Sequence, residues 1–238
     1  MEVNNPKPSR DRCAILFALM LPTVVTLVYF VWAKGSAAGV QQATYAIAKA
    51  VQFGFPLFWV ARVQRQRLRF ELTSLRGAAL GVGFGLVVFL AALTLYHTWL
   101  NSAEFFILGQ GPMKEKVAEL EITEAWKFVA LGVFYSICHS LLEEYYWRWF
   151  VFAQLKALVS FWPAAVISSL GFMAHHVIVI GSFFGFFTLA TWLFSFAVAC
   201  GGLFWAWLYH RSGSLVGPWL SHLLINAAIF TTGYDVAM

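Results

Sequence analysis

Read from the N-terminus, the chain is a series of long apolar runs broken by short polar or arginine-rich segments. A spanning helix needs about 20 mostly apolar residues. Such runs extend from Cys13 to Trp32, interrupted only by Pro22, and from about Thr44 to Val60, with one charge, Lys49. Others run from Gly77 to Leu100, glycine-rich at its start, and from near Trp126 to about Phe150. The last three run from Phe161 to about Ile180, from about Phe184 to Tyr209, and from Leu215 to Tyr234. The pattern predicts seven spans, within a range of six to eight, with the turn near the aromatic stretch 183–187 the least defined. The runs exceed the roughly 9–11 alternating residues of a barrel strand. The expected fold is therefore all-α: a polytopic transmembrane helix bundle with a site cavity between helices.

Composition agrees. Of 238 residues, 61% are hydrophobic and 11% charged, and the mean hydropathy is +0.72. Such a chain is neither a soluble globular domain nor a disordered one. Cys13, Cys138 and Cys200 are too few and too scattered for a disulfide scaffold. The first apolar run follows basic residues, as in a signal peptide, but exceeds the usual length of roughly 7–15 residues, so it is expected to stay as a span.

The net charge of +5 comes from loop cations. Lys7, Arg10, Arg12, Arg62, Arg65, Arg67, Arg69, Arg76, Arg148, Lys156 and Arg211 fall on one side of a seven-span layout. Lys34, Lys114 and Lys116 fall on the other, with Lys127 at a span edge. This asymmetry predicts a cytoplasmic N-terminus. Anionic lipid headgroups account for the basicity, and no nucleic-acid partner is expected. Segment 101–124, with five glutamates against two lysines, reads as an external loop with a short helix around Lys114–Ile122.

Ionisable groups inside spans are costly and demand a reason. Three clusters stand out. In Leu142-Glu143-Glu144-Tyr145-Tyr146-Trp147-Arg148, Glu144 and Arg148 share a helical face and can pair, while Glu143 points elsewhere without a local cation. An unpaired carboxylate in an apolar bundle is a candidate general base. The second cluster, Gly171-Phe172-Met173-Ala174-His175-His176, places Phe172 and His176 on one face. The third, Ser221-His222-Leu223-Leu224-Ile225-Asn226, aligns His222 with Asn226. Each alone also fits an ordinary role: an interfacial charge belt, a satisfied core histidine, or polar glue between helices. Together they favour three polar faces turned onto one water-containing cavity. Glu143 with His176 can hold and deprotonate a water there. His222 and Asn226 can stabilise an oxyanion. The residues alone reach an intramembrane acid/base site of hydrolytic type and no substrate.

Glu143-Glu144-x-x-x-Arg148, Phe172-x-x-x-His176 and His222-x-x-x-Asn226 together resemble, in order, the three motifs of the CPBP intramembrane proteases. That family includes the type II CAAX prenyl endopeptidases and the bacterial Abi-type immunity proteins. The stretch Arg211-Ser-Gly-Ser-Leu-Val-Gly-Pro-Trp-Leu-Ser-His222 also resembles the lead-in to the last motif. The resemblance covers about residues 125–230. It implies a glutamate-dependent peptidase with Glu143 and His176 on the water and His222 and Asn226 on the oxyanion. It gives Glu144 and Arg148 supporting roles and makes Phe172 a packing residue. His175 is the alternative second-motif histidine. The implied division is 1–12 as a cytoplasmic tail, 13–124 as N-terminal spans and external loop, and 125–234 as the catalytic helix core.

A zinc site of Glu143, His176 and His222 is conceivable. The chain has no His-Glu-x-x-His, and His139 stands one turn before Glu143 in the wrong order and spacing. No metal or other cofactor is expected. A serine mechanism lacks its glycine-serine setting, and an aspartyl mechanism lacks a partner for Asp235 other than Asp11 in the N-terminal tail. The expected activity is cleavage near the C-terminus of a membrane-anchored protein or peptide, lipidated ones included, in the bilayer of a bacterial plasma membrane. The alternative is a non-catalytic scaffold or immunity-type binder of the same family.

Overall fold

A computed structural model describes residues 8–33, 35, 37–68 and 74–238. Three of the cations used for orientation, Lys7, Lys34 and Arg69, lie outside the described residues. The described chain is helical and contains no strand. Its helices are α1 (Ser9–Trp32), α2 (Gly39–Val63), α3 (Leu75–Ser102), α4 (Glu104–Glu119), α5 (Ala125–Lys156), α6 (Phe161–Phe184), α7 (Leu189–Ser212) and α8 (Val216–Ala237).

Six of these, α1, α2, α3, α5, α6 and α7, are long and apolar enough to cross a membrane. The seventh expected span, α8, has 22 residues but carries Ser221, His222, Asn226 and Asp235, which dilute its apolar content. The bundle thus combines six strongly apolar helices with a more polar one, which packs mainly against α3. Large apolar side chains such as Leu16, Met20, Val87, Trp162, Leu193 and Phe196 face outward. That is the surface a lipid-embedded protein presents and a soluble monomer avoids.

Several boundaries differ from the sequence reading. Helix α4, expected around Lys114–Ile122, begins at Glu104 and ends at Glu119. The turn between the fifth and sixth spans falls at Gly185, whose φ of +88° only glycine adopts readily. Thr188 then caps α7 by accepting from the Thr191 amide. The fourth span continues past Phe150 to Lys156, a length of 32 residues. Consequently Arg148 is not a loop cation. It is buried inside α5, so it drops out of the orientation count.

The polar helix α8 is held by close backbone approach. Gly77, Gly81 and Gly85 form a stripe on α3 against Gly217 and Ser221 of α8. A Cβ on Gly81 would stand 2.1 Å from the Gly217 carbonyl oxygen. Small residues at such spacing let transmembrane helices pack backbone to backbone. This contact fixes the height and rotation of α8, and therefore of His222.

Candidate active site

Helix α5 is not a regular α-helix. Two π-helical segments, Tyr135–His139 and Tyr145–Phe152, flank the short α-helical turn Ser140–Glu144. The wider π turns change which residues face inward, and such segments often occur at functional sites. Here every residue from Glu143 to Phe152 is buried. The turn carries both glutamates into the bundle interior.

Glu144 is fully buried and engaged on both oxygens. Its Oε2 lies 3.1 Å from Arg148 Nε, as the i,i+4 spacing predicts. Its Oε1 accepts from His222 Nδ1 at 2.8 Å, a cross-helix link that spacing could not reveal. Arg148 also donates from Nη2 to the Gly202 carbonyl at 3.4 Å. The guanidinium lies 4.9 Å from the ring centroids of both Phe172 and Trp205. Trp205 in turn stacks on His222 at 4.3 Å and donates to Ser221 Oγ at 2.9 Å. The pair and its aromatic cage form a rigid support behind His222.

Glu143 is buried and ringed by imidazoles. Its Oε1 is 3.4 Å from His139 Nε2 and 3.5 Å from His175 Nε2, and its Oε2 is 3.5 Å from His222 Nε2. The expectation that Glu143 lacks a local cation-capable partner is therefore corrected: His139, one turn back on α5, faces it. The sequence signal was the i,i+4 spacing that also pairs Glu144 with Arg148.

The two adjacent histidines of α6 divide their contacts. His175 touches Glu143 directly and stacks on Trp147 with centroids 5.8 Å apart. His176 is less buried and hydrogen-bonds through Nδ1 to the Phe172 carbonyl at 2.9 Å. Since a carbonyl only accepts, Nδ1 of His176 carries the proton and Nε2 of a neutral ring presents a lone pair. Ligand atoms of Glu143, His175 and His176 lie within 4.8 Å of one another, so these three residues could gather around a cation. Phe172, 1% exposed, touches the rings of both histidines and of His222, which makes it the packing hub of the site. Asn226 donates from Nδ2 to the Tyr135 carbonyl at 3.1 Å, where α5 enters its first π segment. One amide hydrogen of Asn226 is thereby used and the other remains.

All three motifs thus converge from α5, α6 and α8. Residues 125–228 match the Type II CAAX prenyl endopeptidase Rce1-like family. The matched segment starts with α5 and ends two residues after Asn226. It contains every motif residue, and the resemblance seen in the sequence holds over this segment. No curated protein and no solved structure matches the chain. Segment 125–228 is thus similar to that family, and the six long apolar helices fit an integral membrane protein.

Proposed function

We propose that the chain is an intramembrane endopeptidase that hydrolyses a peptide bond near the C-terminus of a membrane-anchored protein or peptide. The observation that carries this reading is the buried Glu143 carboxylate facing imidazoles from three helices. In this reading Glu143 accepts a proton from a water held against the free Nε2 of His176. The resulting hydroxide attacks the carbonyl carbon of the scissile bond. The carbonyl oxygen becomes an oxyanion, met by His222 when its Nε2 is protonated and by the second amide hydrogen of Asn226. Each such donor typically contributes about 10²–10³ in rate. Collapse of the intermediate breaks the C–N bond, and Glu143 returns its proton to the departing amine. Glu144 and Arg148 position His222 and do not touch the reacting atoms. His175 stays an alternative to His176 as the water partner, because its Nε2 lies 3.5 Å from Glu143 Oε1.

The mechanism runs on side chains alone, without a cofactor. The described arginines at the α2–α3 connection support the orientation with the N-terminus in the cytoplasm. The test is turnover of a membrane-anchored peptide library by the reconstituted protein. Wild type should cleave, and Glu143→Gln should lose about 10²–10⁴ in rate, the usual contribution of a general base, at unchanged thermal stability. A wild-type protein that cleaves nothing, or an active Glu143→Gln variant, contradicts the reading.

A further inference from the structure

Resting on the peptidase reading, we propose that Lys49 binds the free terminal carboxylate of the peptide substrate and so selects chains that end close to the scissile bond. Lys49 is a charge in the middle of α2, outside the Rce1-like segment. A cation inside a span needs a partner. The carboxylates of the site are held by other groups: Glu143 by His139, His175 and His222, and Glu144 by Arg148 and His222. Among the described residues no carboxylate lies within ion-pair distance of Lys49. Its ammonium rests instead on two ring faces, 5.4 Å from the Tyr45 centroid and 5.5 Å from the Phe53 centroid. Ring faces attract a cation but leave its three N–H donors unsaturated.

The position is next to the chemistry. The Phe53 ring meets His139 edge-on at 6.1 Å, and His139 touches Glu143. Tyr45 also lines a cavity of about 220 Å³ between α1 and α2, walled by Val24, Val28, Tyr29 and Ala48 and almost wholly apolar. That cavity shares Tyr29 and Gln41 with a second one of about 230 Å³ that reaches Lys116 on α4. The apolar cavity therefore adjoins the Tyr45 ring on which the Lys49 ammonium rests. The ligand complementary to these surfaces has apolar side chains and one anionic end. In a peptide, that end is the α-carboxylate.

The competing role for this cation, stabilising the reaction's oxyanion, predicts a different specificity. An oxyanion contact would serve all peptides alike, whereas a carboxylate contact serves only chains with a free acid terminus. The test uses the full chain in nanodiscs, carrying Glu143→Gln to prevent turnover. The probe is a fluorescent, acyl-anchored peptide pool whose last four positions are apolar, made as free acid and as C-terminal amide. The free acid should bind about tenfold or more tightly than the amide, equivalent to one modest charge contact. Adding Lys49→Met should bring the acid down to the amide, and Lys49→Arg should retain the preference. Equal binding of acid and amide, binding of neither, a preference that survives Lys49→Met, or equal losses on both probes would overturn the proposal. Cleavage of the same pools by the chain without Glu143→Gln separates the two readings. Discrimination without cleavage keeps Lys49 and refutes the peptidase, while cleavage of both forms without discrimination does the reverse.

Discussion

Removing the Arg148 guanidinium should destabilise the protein rather than act on the chemistry directly. Glu144 is 0% exposed, so without its cation its charge is stranded in the bundle. Breaking a buried ion pair from one side typically costs about 3–5 kcal/mol. His222 still holds the other oxygen at 2.8 Å, which places the loss at the lower end, about 3 kcal/mol. The guanidinium also leaves the faces of Phe172 and Trp205, each 4.9 Å away, which adds about 1 kcal/mol. The sum, about 4 kcal/mol, corresponds to a Tm lower by roughly 8–16 °C for a chain of this size. The assay is thermal unfolding of wild type and Arg148→Ala in one detergent at one scan rate, because membrane proteins often unfold irreversibly. The double variant Glu144→Leu/Arg148→Met should recover much of the Tm, since an apolar pair replaces a buried ionic one at little cost. It should remain inactive, because His222 has lost the acceptor that orients it. An Arg148→Ala protein with wild-type Tm and no activity would refute this reasoning and place Arg148 at the reacting atoms.

Three further outcomes follow from the geometry. Gly81→Val should lower Tm and activity together, because its Cβ meets the Gly217 carbonyl at 2.1 Å, whereas Gly83→Val, with nothing within 4 Å, should be neutral in both assays. His176→Ala should cost about 10²–10⁴ in turnover with little change in Tm, while His175→Ala should lower both, because His175 packs between Trp147 and Phe172; a fully active His176→Ala protein would move the water-holding role to His175. Turnover should persist after prolonged treatment with 1,10-phenanthroline and EDTA, and a loss reversed by added zinc would instead place a cation among Glu143, His175 and His176.

What the sequence could show followed from periodicity and length. Apolar runs located the spans, and i,i+4 spacing found the Glu144–Arg148 pair at 3.1 Å. The order of the motifs identified α5, α6 and α8 as the helices that converge. What stayed hidden depended on contacts between helices or on departures from regular geometry. The hydrogen bond from His222 to Glu144 joins residues 78 apart in the chain. The π segments of α5 change its phase, so a regular wheel misjudges what faces inward. A span of ordinary length ends near Phe150 and leaves Arg148 at its edge as a loop cation, whereas α5 runs on to Lys156. The glycine stripe of α3 was visible as composition, but its partner Gly217 lies on another helix. The i,i+4 spacing of His139 and Glu143 already allows the contact that the fold makes.

The central claim is that Glu143 activates water for peptide hydrolysis inside the bundle. The most direct test compares the termini of membrane proteins by mass spectrometry, in cells making wild-type protein or Glu143→Ala at equal abundance. The account predicts new mature C-terminal ends that occur only with wild type, each naming a substrate and its scissile bond. Identical termini in the two cell populations would contradict it and favour a chain that binds membrane peptides without cutting them.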